Sequence, residues 1–153
     1  MQSRIKVGLL VGLIGLVLNV CVAGFIGICG PLVSLIAGAL AGFFTARQEK
    51  PTAKSAGAQA GAISGAIAGA LVLIGQVLGG VGALAFMQYS GTRLAFGQIP
   101  TPSADPSQQA IFYLSGIGAA CCFGLVGVVL SALAGAGTGY IGTPEQPLAS
   151  TPL

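Results

Sequence analysis

"GAQAGAISGAIAGALVLIG", residues 57–75, carries glycine at positions 57, 61, 65 and 69, with alanine beside each one. In the interior of a helix, glycine costs about 1 kcal/mol relative to alanine. A helix built on such a spacing therefore needs surroundings in which close backbone approach matters more than that loss. Lipid is one. Among hydrocarbon tails the hydrophobic effect does not drive helices together, and association depends on van der Waals contact and interhelical hydrogen bonds. A small residue at every fourth position leaves a flat groove that lets a second backbone come near. The spacing predicts a glycine-zipper packing face over Gly57, Gly61, Gly65 and Gly69. Two further grooves follow the same rule, one over Gly38 and Gly42 (after Ser34) and one over Gly127, Ser131, Gly135 and Gly139.

Composition supports the same solvent. Of 153 residues, 54% are hydrophobic and 6% are charged, where a soluble domain carries about 25% charged residues. Six basic and three acidic side chains are too few to cover a water-exposed surface of this size. Long uncharged apolar runs indicate membrane spans. The formal charge of +3 is too small to indicate nucleic acid as a partner, and the basic residues do not alternate with aromatics as a strand-binding groove requires. The chain has no histidine, which excludes histidine-based acid–base chemistry and histidine-ligated metal or haem within it.

The run from Val7 to Ala46 has no charge. As one helix it would measure roughly 60 Å, twice the hydrocarbon thickness, so it must fold back. "GICGP", residues 27–31, is the natural corner: Gly30 tolerates the turn and Pro31 suits the first turn of a new helix. Spans are expected at about 7–27, 31–46, 57–87 and 106–140. "RQEKPTAK", 47–54, forms a solvated loop between the second and third. Asp105, Pro106 and Gln108 read as a capping-box entry to the fourth. The expected fold is an all-α integral membrane protein, a four-transmembrane-helix bundle forming one domain over 1–142. The proline-rich segment 143–153 is expected to be a disordered cytoplasmic tail.

Four spans place both termini and the 47–54 loop on one side, with Arg4, Lys6, Arg47, Lys50 and Lys54, and leave Arg93 alone opposite. The positive-inside rule puts both termini in the cytoplasm of a plasma (inner) membrane protein. Aromatics cluster near both ends of the spans: Phe25, Phe86, Tyr89, Phe112 and Tyr113 outside, Phe43, Phe44 and Tyr140 inside. "MQSRIK" followed by an apolar run and "CVAG" also fits a cleaved signal peptide. The apolar run continues into the next span without a polar break, which favours retention.

"CGPLVSLIAGALAG", 29–42, aligns without a gap on "CFGLVGVVLSALAG", 122–135. Both segments run from outside to inside, so the bundle reads as two related hairpins. Such small-residue faces serve contacts within a chain or between chains, in a homo-oligomer or a larger membrane complex.

No charged residue lies within a span, which argues against an ion-coupled antiporter. Asn19 and Gln76 are the strongest polar groups at depth, each roughly 15 Å inside its outer turn. They are expected to hydrogen-bond each other across the first and third spans. The cysteines are Cys21, Cys29, Cys121 and Cys122, with no CxxC. They read as small apolar packing residues or, more sharply, as membrane-embedded thiols handling a soft metal ion through Cys29, Cys121 and Cys122. No nucleophile–base pair and no cofactor motif is visible.

"CGPLVSLIAGALAGFFTAR", with the following basic loop and "AGAQAGAISGAIAGALVLIGQ", resembles small uncharacterised multi-span membrane proteins of bacteria with glycine-zipper helices. The resemblance covers spans 1 to 3 and implies a fold but no activity. "CGPL" and the Cys-Cys pair also resemble bacterial mercuric-ion transport proteins, which carry the vicinal pair near the "GPL" segment. Here Cys121-Cys122 lies in the fourth span, and only Cys29 precedes Gly30-Pro31-Leu32. The functional expectation is a non-enzymatic polytopic membrane protein, a structural or accessory unit. The alternative is a small transporter or pore for a soft metal ion.

Overall fold

The computed structural model describes residues 2–23, 30–90 and 105–144. Within them the chain is all-helical: α1 (Gln2–Ala23), α2 (Gly30–Glu49), α3 (Lys54–Ser90) and α4 (Pro106–Gly142). The expected corner at 27–31, the expected loop over 88–109 and the expected tail over 143–153 each fall partly outside the described residues. Among the described residues, three stretches are long and apolar enough to cross a membrane, namely Ser3–Cys21, Lys54–Ala83 and Pro106–Gly142. The expected second span corresponds to α2, which is not among them. It has 20 residues, and Arg47, Gln48 and Glu49 occupy its last turn, which shortens its apolar run.

Local sequence explains the helix ends. α4 begins at Pro106 because Asp105 caps it. The Asp105 carboxylate accepts from the Ser107 backbone N–H at 3.0 Å and from the Ser107 hydroxyl at 2.8 Å. These bonds favour the ionised form and hold the Asp105 carboxyl below its ordinary value. The sign follows directly: the cap contributes fully above the unfolded carboxylate pKa and is lost as pH falls through the depressed folded one. Asp105→Ala is expected to speed amide exchange at Ser107 near neutral pH, with the difference from wild type vanishing in strong acid. α2 ends where Lys50 takes a left-handed conformation at φ 44 and its N–H returns to the Ala46 carbonyl at 3.1 Å. This αL turn satisfies an end carbonyl that would otherwise be unpaired.

The helices pack as a bundle in which α2 and α3 each touch the other three, while α1 and α4 barely meet. α3 and α4 run antiparallel: Gly57 lies against Gly139 and Thr143, Gly61 against Gly135, and Gly65 against Ser131. α1 runs parallel to α3, with Gly12 on Ala68 and Leu71 and Gly15 on Val72. α2 runs parallel to α4, with Gly38 on Ser131 and Gly42 on Gly135. At the basic end, Arg4 Nε donates to Glu49 Oε2 at 2.7 Å and the Ser3 hydroxyl donates to Gln48 at 3.2 Å, tying the start of α1 to the end of α2.

The core is made of small side chains. Ala37, Ala41, Ala68 and Val72 form its centre, with Val11 and Val33 packed against them, and Val72 is the largest fully buried side chain. The large apolar residues point outward: Leu10, Leu13 and Ile14 on α1, Leu32 and Ile36 on α2, Leu125 and Leu133 on α4 are all more than half exposed. Each helix therefore buries its narrow side, which brings backbones rather than side chains into contact.

Candidate functional site

All ten residues expected on packing faces are buried: Gly38, Gly42, Gly57, Gly61, Gly65, Gly69, Gly127, Ser131, Gly135 and Gly139. They meet within the chain. The closest backbone approach centres on the Gly135 carbonyl, where a Cβ added at Gly42 of α2 or at Gly61 of α3 would collide with that oxygen. Ser131 adds a directional bond, its hydroxyl donating to the Gly65 carbonyl at 2.7 Å. Thr138 reaches the other way, donating to Ala39 of α2 at 2.8 Å. α4 is thus bonded to both neighbours from one face.

The α2–α4 contact pairs Ser34 with Gly127, Gly38 with Ser131 and Gly42 with Gly135. These are the same pairs that the alignment of 29–42 with 122–135 makes equivalent. Across a parallel helix pair, counterparts facing each other is the arrangement a two-fold axis produces.

Sequence reasoning missed the α1 face. A Cβ at Gly8 would lie 2.9 Å from the Ser64 carbonyl oxygen, and one at Gly12 would lie 2.9 Å from Ala68 Cα. The signal was available in "GLLVGLIG", 8–15, whose glycines stand four and then three residues apart. It also missed Thr138, which lies off the every-fourth pattern.

Asn19 is fully buried and Gln76 is 7% exposed. Asn19 does not bond Gln76; its Nδ2 donates instead to the Val72 carbonyl at 2.9 Å. The register that sets Gly15 on Val72 brings Asn19 near the level of Gln76, and its side chain leans back toward the start of the helix to meet the Val72 carbonyl. Asn19 Oδ1 is buried with no hydrogen-bond partner. Asn19→Ala is expected to lower stability by about 1 kcal/mol, since interhelical bonds of this type contribute about 0.6–2 kcal/mol; unfolding midpoints in detergent would measure it.

Among the described residues Cys21, Cys121 and Cys122 are free, while Cys29 lies outside them. Cys21 is exposed on α1 and Cys122 is exposed on α4, with Cys121 partly covered beside it. No group of three or more His, Cys, Asp or Glu side chains that could hold a metal ion is assembled among the described residues. At the basic end, Arg47 stacks over the Phe43 ring at 4.7 Å and Lys54 over the Tyr140 ring at 5.3 Å. No family model, no curated protein and no solved structure matches this chain.

Proposed function

We propose that this chain is a polytopic protein of the plasma membrane, a non-enzymatic structural or accessory unit of four crossing helices with both termini in the cytoplasm. One observation carries the reading: the molecule buries small and polar side chains and exposes large apolar ones. Asn19, Ser34, Thr45, Ser64 and Ser131 are all at most 2% exposed, while Leu10, Leu32, Leu114 and Ile141 are more than 60% exposed. Water as solvent reverses that distribution; lipid favours it. α2, about 30 Å long by its residue count, matches the hydrocarbon thickness and packs beside the three longer apolar helices. Arg47 over Phe43 and Lys54 over Tyr140 suit cations anchored at the cytoplasmic interface.

The paired counterparts along α2 and α4 support a chain made of two related hairpins. The hydroxyls of Ser64, Ser131, Thr138 and Thr143 donate to backbone carbonyls, which is structural work and favours a non-catalytic interior. The small-residue faces are occupied within the chain, so a partner subunit meets the large apolar outer faces instead. Two measurements test this. In a cysteine-free background, a thiol at position 93 should react with an impermeant maleimide in intact cells, and one at position 50 only after permeabilisation. Mild-detergent purification should retain a second membrane protein or a second copy in fixed ratio. The reverse labelling pattern sinks the topology, and a strictly lone chain sinks the accessory role.

A further inference from the structure

Among the described residues, three buried side-chain atoms have no hydrogen-bond partner: Asn19 Oδ1, Thr45 Oγ1 and Glu49 Oε1. All three lie on α1 or α2, and none on α4. Leaving such an atom unpaired forfeits its hydration without return, so each calls for a physical cause. Thr45 is the clearest case. A helical threonine normally returns its hydroxyl to a carbonyl one turn back, as Thr138 does to Ala134 at 3.0 Å and Thr143 does to Gly139 at 2.8 Å. Thr45 is fully buried and makes no such bond.

The three atoms fall at two levels of one seam between α1, α2 and α3. At the basic end, Thr45 and Glu49 stand one turn apart on the same face of α2, and the other Glu49 oxygen is already held by Arg4 at 2.7 Å. Further along, Asn19 has committed its N–H to Val72, and the α1–α3 register brings Gln76 one turn beyond Val72 on the same α3 face. Ala37, Ala41, Ala68 and Val72 fill the interval between the two levels.

The Asn19 amide N–H is spent on Val72 and the Arg4 Nε–H on Glu49, which leaves two acceptor oxygens and one hydroxyl without a partner. A guest must therefore donate hydrogen bonds, be small, and at the Thr45 level also accept one. Water meets all three conditions, and buried waters typically bridge about three otherwise unpaired groups. We propose that the α1–α2–α3 seam binds water at two sites, one bridging Thr45 Oγ1 and Glu49 Oε1 and one on Asn19 Oδ1 beside Gln76, with the alanine–valine layers dry between them.

Thr45→Val tests the first site by sign, because the two side chains have nearly the same shape. If Thr45 is hydrated, the valine loses a bridge and the melting midpoint of the intact protein in lipid vesicles falls by about 2–4 °C. If the hydroxyl is dry, removing it raises the midpoint. Water cross-peaks in NMR spectra of the same intact protein, expected at the Asn19 side-chain amide and at Thr45, test both sites without any substitution. A midpoint that stays or rises, or the absence of both cross-peaks, overturns the proposal. So does a Thr45→Val effect that appears only with sodium or potassium present, which would make the guest a cation. The inference rests on how the helices pack, and flotation of the same vesicles reports separately on membrane insertion.

Discussion

Gly61→Ala and Gly42→Ala are each expected to destabilise the protein by about 3 kcal/mol, while Gly137→Ala leaves it unchanged or adds up to about 1 kcal/mol. The chemistry of the substitution is the same at all three positions, so only the surroundings differ. At Gly61 and Gly42 the new methyl is aimed at the Gly135 carbonyl oxygen from two sides, one from α3 and one from α2. That oxygen is backbone and cannot rotate away, so relief requires α4 to move as a body and give up its contacts with both neighbours. At Gly137 nothing lies within 4 Å of the added atom, and alanine's better helix propensity is all that remains. Thermal or denaturant midpoints of the three variants in one detergent decide the matter. Equal midpoints would mean that the bundle does not close around Gly135.

The contrast between Gly61 and Gly137 also marks where the sequence is legible. Gly57, Gly61, Gly65 and Gly69 repeat every fourth position, and a face repeated that way can be read before any partner is known. Gly137 is an equally small residue in an equally apolar helix, but it is out of step with Gly135 and Gly139 and faces away. The likeness of 29–42 to 122–135 was legible too, although that Ser34, Gly38 and Gly42 meet their counterparts Gly127, Ser131 and Gly135 emerges only from the packing. Hydrogen-bond partners were not. Every residue of α3 offers a carbonyl, and which one Asn19 meets depends on the α1–α3 register, set by Gly8, Gly12 and Gly15 packing on Ser64, Ala68 and Val72. A preference for joining two amide side chains therefore pointed to Gln76, whereas the Asn19 side chain leans back along α1 to the Val72 carbonyl. Helix ends were legible where a side chain caps them, as Asp105 does, and less so at α2, whose last turn extends through Arg47 to Glu49 although the apolar pattern stops at Ala46.

The second large effect is expected at Leu13, which touches little within the molecule. Leu13 is 59% exposed near the middle of the apolar stretch Ser3–Cys21. In a water-soluble bundle, Leu13→Arg would be harmless or would improve solubility, because an exposed arginine is well solvated. In a bilayer the same side chain sits near the centre of a crossing helix, where arginine costs about 2.5–3.5 kcal/mol. That corresponds to roughly a hundredfold shift against insertion. Ile5→Arg is the control. Ile5 is 44% exposed but lies between Arg4 and Lys6 at the basic end, where a further cation reaches interfacial water and costs little. The fraction of newly made chain that resists alkaline extraction from membranes should drop sharply for Leu13→Arg and hold for Ile5→Arg. The outcome turns on the solvent around α1, because Leu13 is turned away from the glycine contacts and Ile5 precedes the first of them at Gly8. If both variants behave like wild type and remain soluble without lipid, the large exposed leucines face water and the membrane reading fails.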